Sequence, residues 1–157
     1  MRYRLACLAG LLLCLFIVSA CANPFTSITG GISASATTPS PTTALSGTSW
    51  TLTQLSIDGK RQNIAPTAPV TLQFQQHDAT YLGSSGCNYY DGAYALSGHQ
   101  LHLQFRSVTQ KACVGPIMSQ EVAYLNVMQQ VRSYHIDGNL LTLKDGGNNI
   151  ILIYAVA

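Results

Sequence analysis

The five cysteines are the residues whose side chains are most reactive. Three of them precede the foldable part of the chain, residues 45–157, whose composition predicts a folded domain. Cys7 and Cys14 lie in an apolar run and Cys21 directly follows it, so Cys87 and Cys113 are the pair left in the foldable part. In an oxidising compartment such a pair is typical of a disulfide. Closing a loop of about 26 residues would stabilise the fold by roughly 3.5 kcal/mol. Two buried free thiols are the alternative, and a reactive or metal-binding pair is a third, although the C-x-x-C spacing of reactive thiols is absent.

Other candidate catalytic or metal-binding residues are few. His99 and His102 lie three residues apart on a predicted strand, which directs their side chains to opposite faces and makes them poor co-ligands of a metal ion. The GSSG segment at 83–86 resembles a nucleophile elbow only superficially, because position 87 is cysteine where that motif needs glycine. Glu121 is interpreted as an acid that the N-terminal dipole of a helix stabilises. We therefore predict no catalytic residue, no metal and no cofactor, and an enzyme using Glu121, His102 or Cys87 is the weakest of three functional hypotheses.

The N-terminus predicts export followed by lipidation. A short basic segment with Arg2 and Arg4 precedes the fourteen-residue apolar run Leu5 to Val18, which predicts a signal peptide over residues 1–20. The run is shorter than the about 20 residues that span a bilayer, so a transmembrane anchor is the weaker interpretation. The sequence VSAC, which ends at Cys21, resembles a bacterial lipobox, in which the cysteine receives a diacylglycerol and acyl groups such as palmitate. Ordinary signal-peptidase cleavage, which would release a soluble periplasmic protein, is the alternative.

The segment after the predicted anchor has the composition of a linker. Residues 22–44 contain no charged residue, ten Ser/Thr and three Pro, too little apolar surface to offset the entropy of ordering them. Residues 21–44 therefore form the lipidated cysteine and a flexible tether, and residues 45–157 form one domain. From Cys21 onward six basic residues balance six acidic ones, which argues against nucleic acid as a partner. Ala22 is not the Asp that retains lipoproteins at the inner membrane, which predicts an outer-membrane lipoprotein facing the periplasm.

The foldable part has mostly the two-residue period of β-strands. Apolar residues alternate around Trp50 and Leu52, and the continuous run Ile150 to Val156 predicts a strand buried on both faces. Further alternating positions are Val70, Leu72, Phe74, Leu101, Leu103, Phe105, Leu141 and Leu143. Four Asp-Gly dipeptides, at Asp58, Asp91, Asp137 and Asp145, predict tight turns between antiparallel strands.

One segment has a helical period. After Gly115-Pro116, a suitable helix start, apolar residues recur at helical spacing over 116–134. They are Met118, Val122, Leu125 and Met128, and their expected role is core packing. The sequence thus predicts an α+β domain in which an antiparallel sheet of about seven or eight strands packs with one α-helix.

Several stretches together resemble the META/HslJ-type domain family of bacterial envelope proteins. They are LSGTSWTL from Leu45, GSSGCNYYDGAY over 83–94, TQKAC over 109–113 and VRSYHIDGNLLTL over 131–143. The resemblance implies a small α+β domain, often carried by a lipoprotein and linked loosely to stress response, drug tolerance or secretion. It implies no catalytic mechanism. The fold of this family is similar to that of lipid-handling secretion pilot lipoproteins, an analogy that implies a groove between helix and sheet.

The leading functional hypothesis is a non-enzymatic, lipid-anchored envelope protein whose domain binds an envelope protein or an acyl chain. Tyr89, Tyr90 and Tyr94 are the predicted contact residues, because tyrosines beside glycine-rich turns offer both apolar and hydrogen-bonding surface. The expected alternative is that they pack in the core. The second hypothesis is a periplasmic carrier of a small ligand or lipid, with a cavity lined by Met118, Leu125 and Met128.

Overall fold

The computed structural model describes residues 43–157, so the predicted signal peptide, Cys21 and the linker as far as residue 42 lie outside the described residues. Residues 43–157 form nine strands and one helix. In chain order they are β1 (Ser49–Ile57), β2 (Lys60–Gln62), β3 (Thr71–Phe74), β4 (Thr80–Ser84), β5 (Tyr89–Ser97), β6 (Gln100–Val108), α1 (Gly115–Met128), β7 (Ser133–Asp137), β8 (Leu140–Lys144) and β9 (Ile150–Val156). The predicted α+β class with one helix is confirmed, and the short β2 takes the strand number above the predicted range.

The strands form a single antiparallel sheet that closes on itself. Neighbours follow the order β2-β1-β3-β4-β5-β6-β7-β8-β9, and β1 pairs with β9 as well. Within residues 43–157 the weakest junction is between β6 and β7, whose register contains one residue pair, Gln100 with Ser133. Arg132, immediately before β7, donates its N–H to the Lys144 carbonyl at 2.8 Å, so the chain there already follows β8. The chain forms α1 between β6 and β7, and among residues 43–157 no strand pairs with β6 on this side beyond Gln100.

Three of the four predicted Asp-Gly turns are confirmed. Asp58 and Gly59 both have positive φ, 49° and 73°, in the turn from β1 to β2. Gly138, between β7 and β8, has a φ of 55°. In the loop before β9, the Asp145 carboxylate accepts the N–H groups of Gly147 and Asn149 at 2.9 and 2.8 Å. Such conformations suit tight reversals, in which short polar side chains bond to nearby main chain.

The predicted turn at Asp91-Gly92 is wrong, because both residues lie inside β5. The Asp91 carboxylate accepts a hydrogen bond from the Ser107 hydroxyl across the strand pair, and the β5–β6 register shifts directly after Asp91. Gly92 leaves room for an aromatic side chain, since a Cβ there would come within 2.5 Å of the Tyr81 hydroxyl oxygen. Asp91 and Gly92 lie at a β-bulge, and Gly92 allows the Tyr81 side chain to approach the main chain closely. The Asp-Gly sequence does not distinguish these two uses of glycine from a turn.

The helix α1 begins as predicted, with Pro116 in its first turn, and ends at Met128 instead of extending towards residue 134. The predicted apolar stripe is partly wrong, because Val122 is 55% exposed while Met128 is fully buried. The buried residues of α1 are Gln120, Glu121, Tyr124, Val127 and Met128. Two polar side chains face inward because the surrounding loops satisfy their hydrogen bonds. A count of apolar residues does not register such partners.

The core lies inside the closed sheet and under α1. Trp50 is completely buried, and its indole N–H donates to the Leu45 carbonyl at 3.2 Å. The strand β9 is less buried than predicted, because Ile150 and Val156 at its ends are 45% and 39% exposed. The other large side chains that are almost fully buried are Tyr81, Tyr124, Tyr154, Phe74, Leu55, Leu72, Leu101, Met128, Leu141, Leu143 and Leu152. Burying each large aliphatic or Phe side chain stabilises the fold by roughly 1.5–3 kcal/mol.

Candidate binding groove and polar clasp

A buried carboxylate joins α1 to the loop between β4 and β5. Glu121 is only 5% exposed, and its oxygens accept hydrogen bonds from the Ser85 hydroxyl, the Asn88 N–H at 2.9 Å and the Asn88 side-chain amide at 2.9 Å. We call Ser85, Asn88 and Glu121 the polar clasp. The prediction that the helix dipole accounts for Glu121 is wrong, since Glu121 is not in the first turn of α1 and the three donors come from the loop. Donors aimed at a carboxylate compensate for the loss of water on burial.

Asn88 extends the polar clasp to the segment before α1. Its side-chain oxygen accepts the Thr109 hydroxyl at 2.8 Å and the Lys111 N–H at 2.7 Å, and its amide group also donates to the Lys111 carbonyl at 3.2 Å. The same two segments are joined covalently, because Cys87 and Cys113 form a disulfide with a Cα–Cα distance of 6.0 Å. Hydrogen bonds and a covalent bond thus hold the start of α1 against the β4–β5 loop.

A second polar side chain of α1 fixes the loop before β3. The side-chain oxygen of Gln120 accepts the Ala65 N–H at 2.6 Å, and its amide nitrogen donates to the Ala68 carbonyl at 3.0 Å. Gly86 lies against this side chain with a φ of +102°, and a Cβ there would come within 2.6 Å of the Gln120 nitrogen. Glycine is therefore required at position 86 both for its conformation and for the space that it leaves.

The three tyrosines predicted as contact residues do not form one surface. Tyr89 is 63% exposed, and the centroid of its ring lies 5.6 Å from the Lys111 ammonium nitrogen. Tyr90, by contrast, is 2% exposed. Tyr94 is half-buried and donates its hydroxyl to the Gln75 carbonyl at 2.9 Å. The prediction is therefore wrong for Tyr90, because adjacent residues of a strand point to opposite faces and position 90 faces the core.

Tyr90 belongs to a chain of hydroxyl groups inside the domain. Its oxygen lies 2.6 Å from the Tyr124 oxygen, which lies 2.9 Å from that of Tyr154. Tyr90 also donates to the Thr71 carbonyl at 2.7 Å. Burial raises the pKa of all three tyrosines well above the usual value. The inward face of α1 is thus polar in part and bonded throughout.

The residues considered for catalysis are engaged elsewhere or lie apart. Ser85 of the GSSG segment is completely buried in the polar clasp, and Cys87 is bonded to Cys113. His99 lies in the turn before β6 and His102 on the exposed side of that strand. Among residues 43–157, no group of three or more His, Cys, Asp or Glu side chains could hold a metal ion. The described part of the chain therefore offers no assembled catalytic or metal site.

An open apolar groove runs between β6 and α1. Its volume is about 450 Å³, and the residues lining it are Leu103, Phe105, Val108, Leu125 and Gln129. We call it the β6 groove. All five lining side chains are uncharged, and three of the lining residues belong to β6. Leu103 and Phe105 were predicted only as core positions. Both are half-buried, because no strand of the described residues 43–157 covers β6 on this side.

The cavity predicted for a carrier is not formed as expected. Of its three predicted lining residues, Leu125 lines the β6 groove, whereas Met118 lines a neighbouring recess of about 380 Å³ beside Lys111 and Glu121. Met128 is fully buried and its sulfur lies 3.6 Å from the Tyr154 hydroxyl oxygen. Among the residues that the structure describes, no helix is long and apolar enough to cross a membrane.

Comparisons with known proteins agree with this fold. The NMR structure of a protein from Burkholderia xenovorans matches with a TM-score of 0.62 and 27% sequence identity, over 72% of this chain and 83% of that chain. A second NMR structure matches with a TM-score of 0.53 and 21% identity, over 71% of this chain and 91% of that one, and shows a likeness of fold alone. No curated protein matches the chain. The META domain model matches residues 43–156, which include the polar clasp, the disulfide and the β6 groove, and the chain therefore belongs to the META domain family.

Proposed function

We propose that the protein is a lipid-anchored component of the bacterial cell envelope, and that its META domain is a non-catalytic binding module for an envelope protein or an acyl chain. The observation that carries the proposal is the β6 groove, an uncharged recess with four apolar lining residues, beside a polar clasp whose groups are bonded to one another. Exposed apolar concavities rimmed by polar residues are typical of binding sites. Stress response, drug tolerance and secretion are the processes to which such a module would contribute.

The state of the reactive side chains supports a binding role over a catalytic one. A nucleophile or general base has to reach a substrate, and Ser85, Glu121 and Cys87 are all engaged in bonds within the domain. The polar clasp thus has a structural explanation that needs no substrate. The β6 groove beside α1 has four apolar lining residues, which favours ligands that bind through burial of apolar area.

The groove is tested by native mass spectrometry and cross-linking of the protein extracted from membranes. Leu125→Glu places a carboxylate in the β6 groove, and Val122→Glu is the matched control, because Val122 lies on the same helix, is 55% exposed and does not line the groove. We expect a bound lipid or a cross-linked envelope protein with the wild type and the control, and its loss with Leu125→Glu. Equal occupancy in both variants would contradict the proposal.

The anchor is tested separately with Cys21→Ser. We expect the wild-type protein to partition with membranes, and the variant to leave the membrane fraction or to remain unprocessed. The same partitioning of processed wild type and processed variant would contradict lipidation at Cys21. Because the domain binds through α1 and β6 in this proposal, ligand binding by the variant is expected to be unchanged.

A periplasmic carrier of a small ligand or lipid is the second candidate, and the recess beside Met118 is the observation that favours it. A carrier is expected to show a native mass adduct that vanishes on denaturation, in the absence of any cross-linked protein. A cross-linked envelope protein with a bare native mass favours the docking module instead.

A further inference from the structure

We propose that the β6 groove binds an extended peptide segment of another protein, which adds as an antiparallel strand to the free edge of β6. The inference rests on the proposed binding function of the groove and names its ligand class. Beyond Leu101, the main chain of β6 pairs with β5 on one side, and among residues 43–157 no strand pairs with it on the other side. An exposed strand edge of this kind is a template for strand addition.

The orientation of the main-chain groups follows from one observed hydrogen bond. The Leu101 N–H donates to the Arg132 carbonyl at 2.9 Å, so it points away from β5. Along a regular strand, alternate residues direct their N–H and C=O groups to the same side, so those of Leu103 and Phe105 also face the groove. Within residues 43–157 no main-chain group pairs with them there. Two consecutive pairs of donors and acceptors therefore line the wall of an apolar recess.

These groups decide between a peptide and an acyl chain. A hydrocarbon chain would fill the groove but would cover the Leu103 and Phe105 amides without bonding to them, and burial of a polar group without a hydrogen-bond partner is unfavourable. A strand satisfies the same groups and places alternate side chains on the apolar floor formed with Leu125. The geometry favours the ligand that supplies both kinds of contact.

The outer face of β6 indicates the polarity of the peptide. His102, Gln104 and Arg106 are exposed on this face, between the inward-facing positions. Directly opposed residues of an antiparallel pair interact, and opposite charges there are favourable. The peptide should therefore have apolar residues facing inward and an acidic residue near Arg106, the extra residue of the β5–β6 bulge. A second copy of β6 fits less well, because antiparallel pairing centred on Gln104 would place Arg106 opposite His102 of that copy, which carries no negative charge.

The test uses full-length protein in lipid nanodiscs and a labelled, acetylated and amidated heptapeptide, SVEVTVS. We expect saturable binding by fluorescence anisotropy and slower hydrogen exchange of the β6 segment around Leu103 to Phe105. Two modified peptides supply the matched controls. N-methylation of the last two valines blocks the amides that would bond to β6, whereas N-methylation of the glutamate and threonine blocks the outer edge. The first change is expected to weaken binding about thirtyfold, the loss of two ordinary hydrogen bonds, and the second to leave it nearly unchanged.

The protein side has an equivalent pair. Leu103→Pro removes one N–H that faces the groove and no bond to β5, so the fold is expected to persist while peptide binding falls about fivefold, the loss of one ordinary hydrogen bond. Leu125→Glu is the second variant should proline disturb β6. Equal binding of the two N-methylated peptides, or binding of dodecanoate but not of the heptapeptide, would overturn strand addition and leave the proposed function standing. If neither ligand binds, both proposals fail for this groove.

Discussion

The two flanks of α1 differ in how completely their groups are bonded. On one flank, Gln120 and Glu121 reach the loops before β3 and after β4, and their side chains form hydrogen bonds with main-chain groups of both loops. On the other flank, Leu125 and Gln129 border an open groove beside the unpaired edge of β6. The helix is therefore positioned by the contacts on one flank. Because the bonded flank fixes α1, the other flank can stay open without the helix collapsing onto β6.

Alkaline pH is expected to have the largest effect, through the hydroxyl chain on the bonded side. Burial raises the pKa of Tyr90, Tyr124 and Tyr154 well above the usual value. Stability is therefore unaffected below about pH 10. Above it the unfolded chain loses protons that the folded chain retains, and the free energy of unfolding falls by up to about 4 kcal/mol per pH unit. Urea unfolding at a series of pH values measures this slope, and the tyrosinate absorbance of these three residues should appear together with unfolding. Full ionisation of a domain that keeps its native circular dichroism would contradict the prediction.

Removal of the disulfide is expected to have the next largest effect. Cys87→Ser combined with Cys113→Ser should lower the free energy of unfolding by about 3.5 kcal/mol, because the unfolded chain gains the freedom of a loop with a sequence separation of 26 residues. Reduced wild-type protein is the control and should match the double variant. The denatured mass of protein from an oxidising periplasm should lack two hydrogens. A mass that retains them would show free thiols.

Glu121→Gln tests the polar clasp with little change of shape. The glutamine side chain keeps one acceptor oxygen, but its NH2 group would face the donors of Ser85 and Asn88. We therefore expect a loss of about 2 kcal/mol in the free energy of unfolding. Asp137→Asn removes the same charge from an exposed turn and should change stability by less than about 0.5 kcal/mol. Similar losses in the two variants would mean that net charge, not the polar clasp, is responsible.

The open flank should give the smallest effect on stability. Leu125→Ala is expected to cost about 1 kcal/mol, because the side chain is only half-buried, and Val122→Ala less than about 0.5 kcal/mol. Chemical unfolding gives both values. Binding to the β6 groove should fall with Leu125→Ala by more than the effect of this variant on folding, and should stay unchanged with Val122→Ala. A cost above that of Glu121→Gln would remove the distinction between the two flanks.

Much of the fold could be predicted because strands and turns leave local patterns. The alternation around Trp50 and Leu52 and the Asp58-Gly59 turn each reflect the geometry of a few adjacent residues. The site was less accessible. The helical period suggested that α1 would bury Val122, whereas the structure buries Gln120 and Glu121. The one local signal was the adjacent polar pair Gln120 and Glu121 in a mostly apolar helix, and its meaning depends on loops more than 30 residues away in sequence.

The sequence by itself determined the α+β class, the place of the helix and the family, because these follow from short-range periodicity and from residue motifs. Only the tertiary structure decided what β6 does. Whether Leu103 and Phe105 are core residues or groove residues depends on whether another strand reaches their side of the sheet, and the chain reaches β7 through α1 with a single residue pair to β6. Burial and free hydrogen-bonding edges are properties of neighbours brought together by folding, so no local pattern contains them.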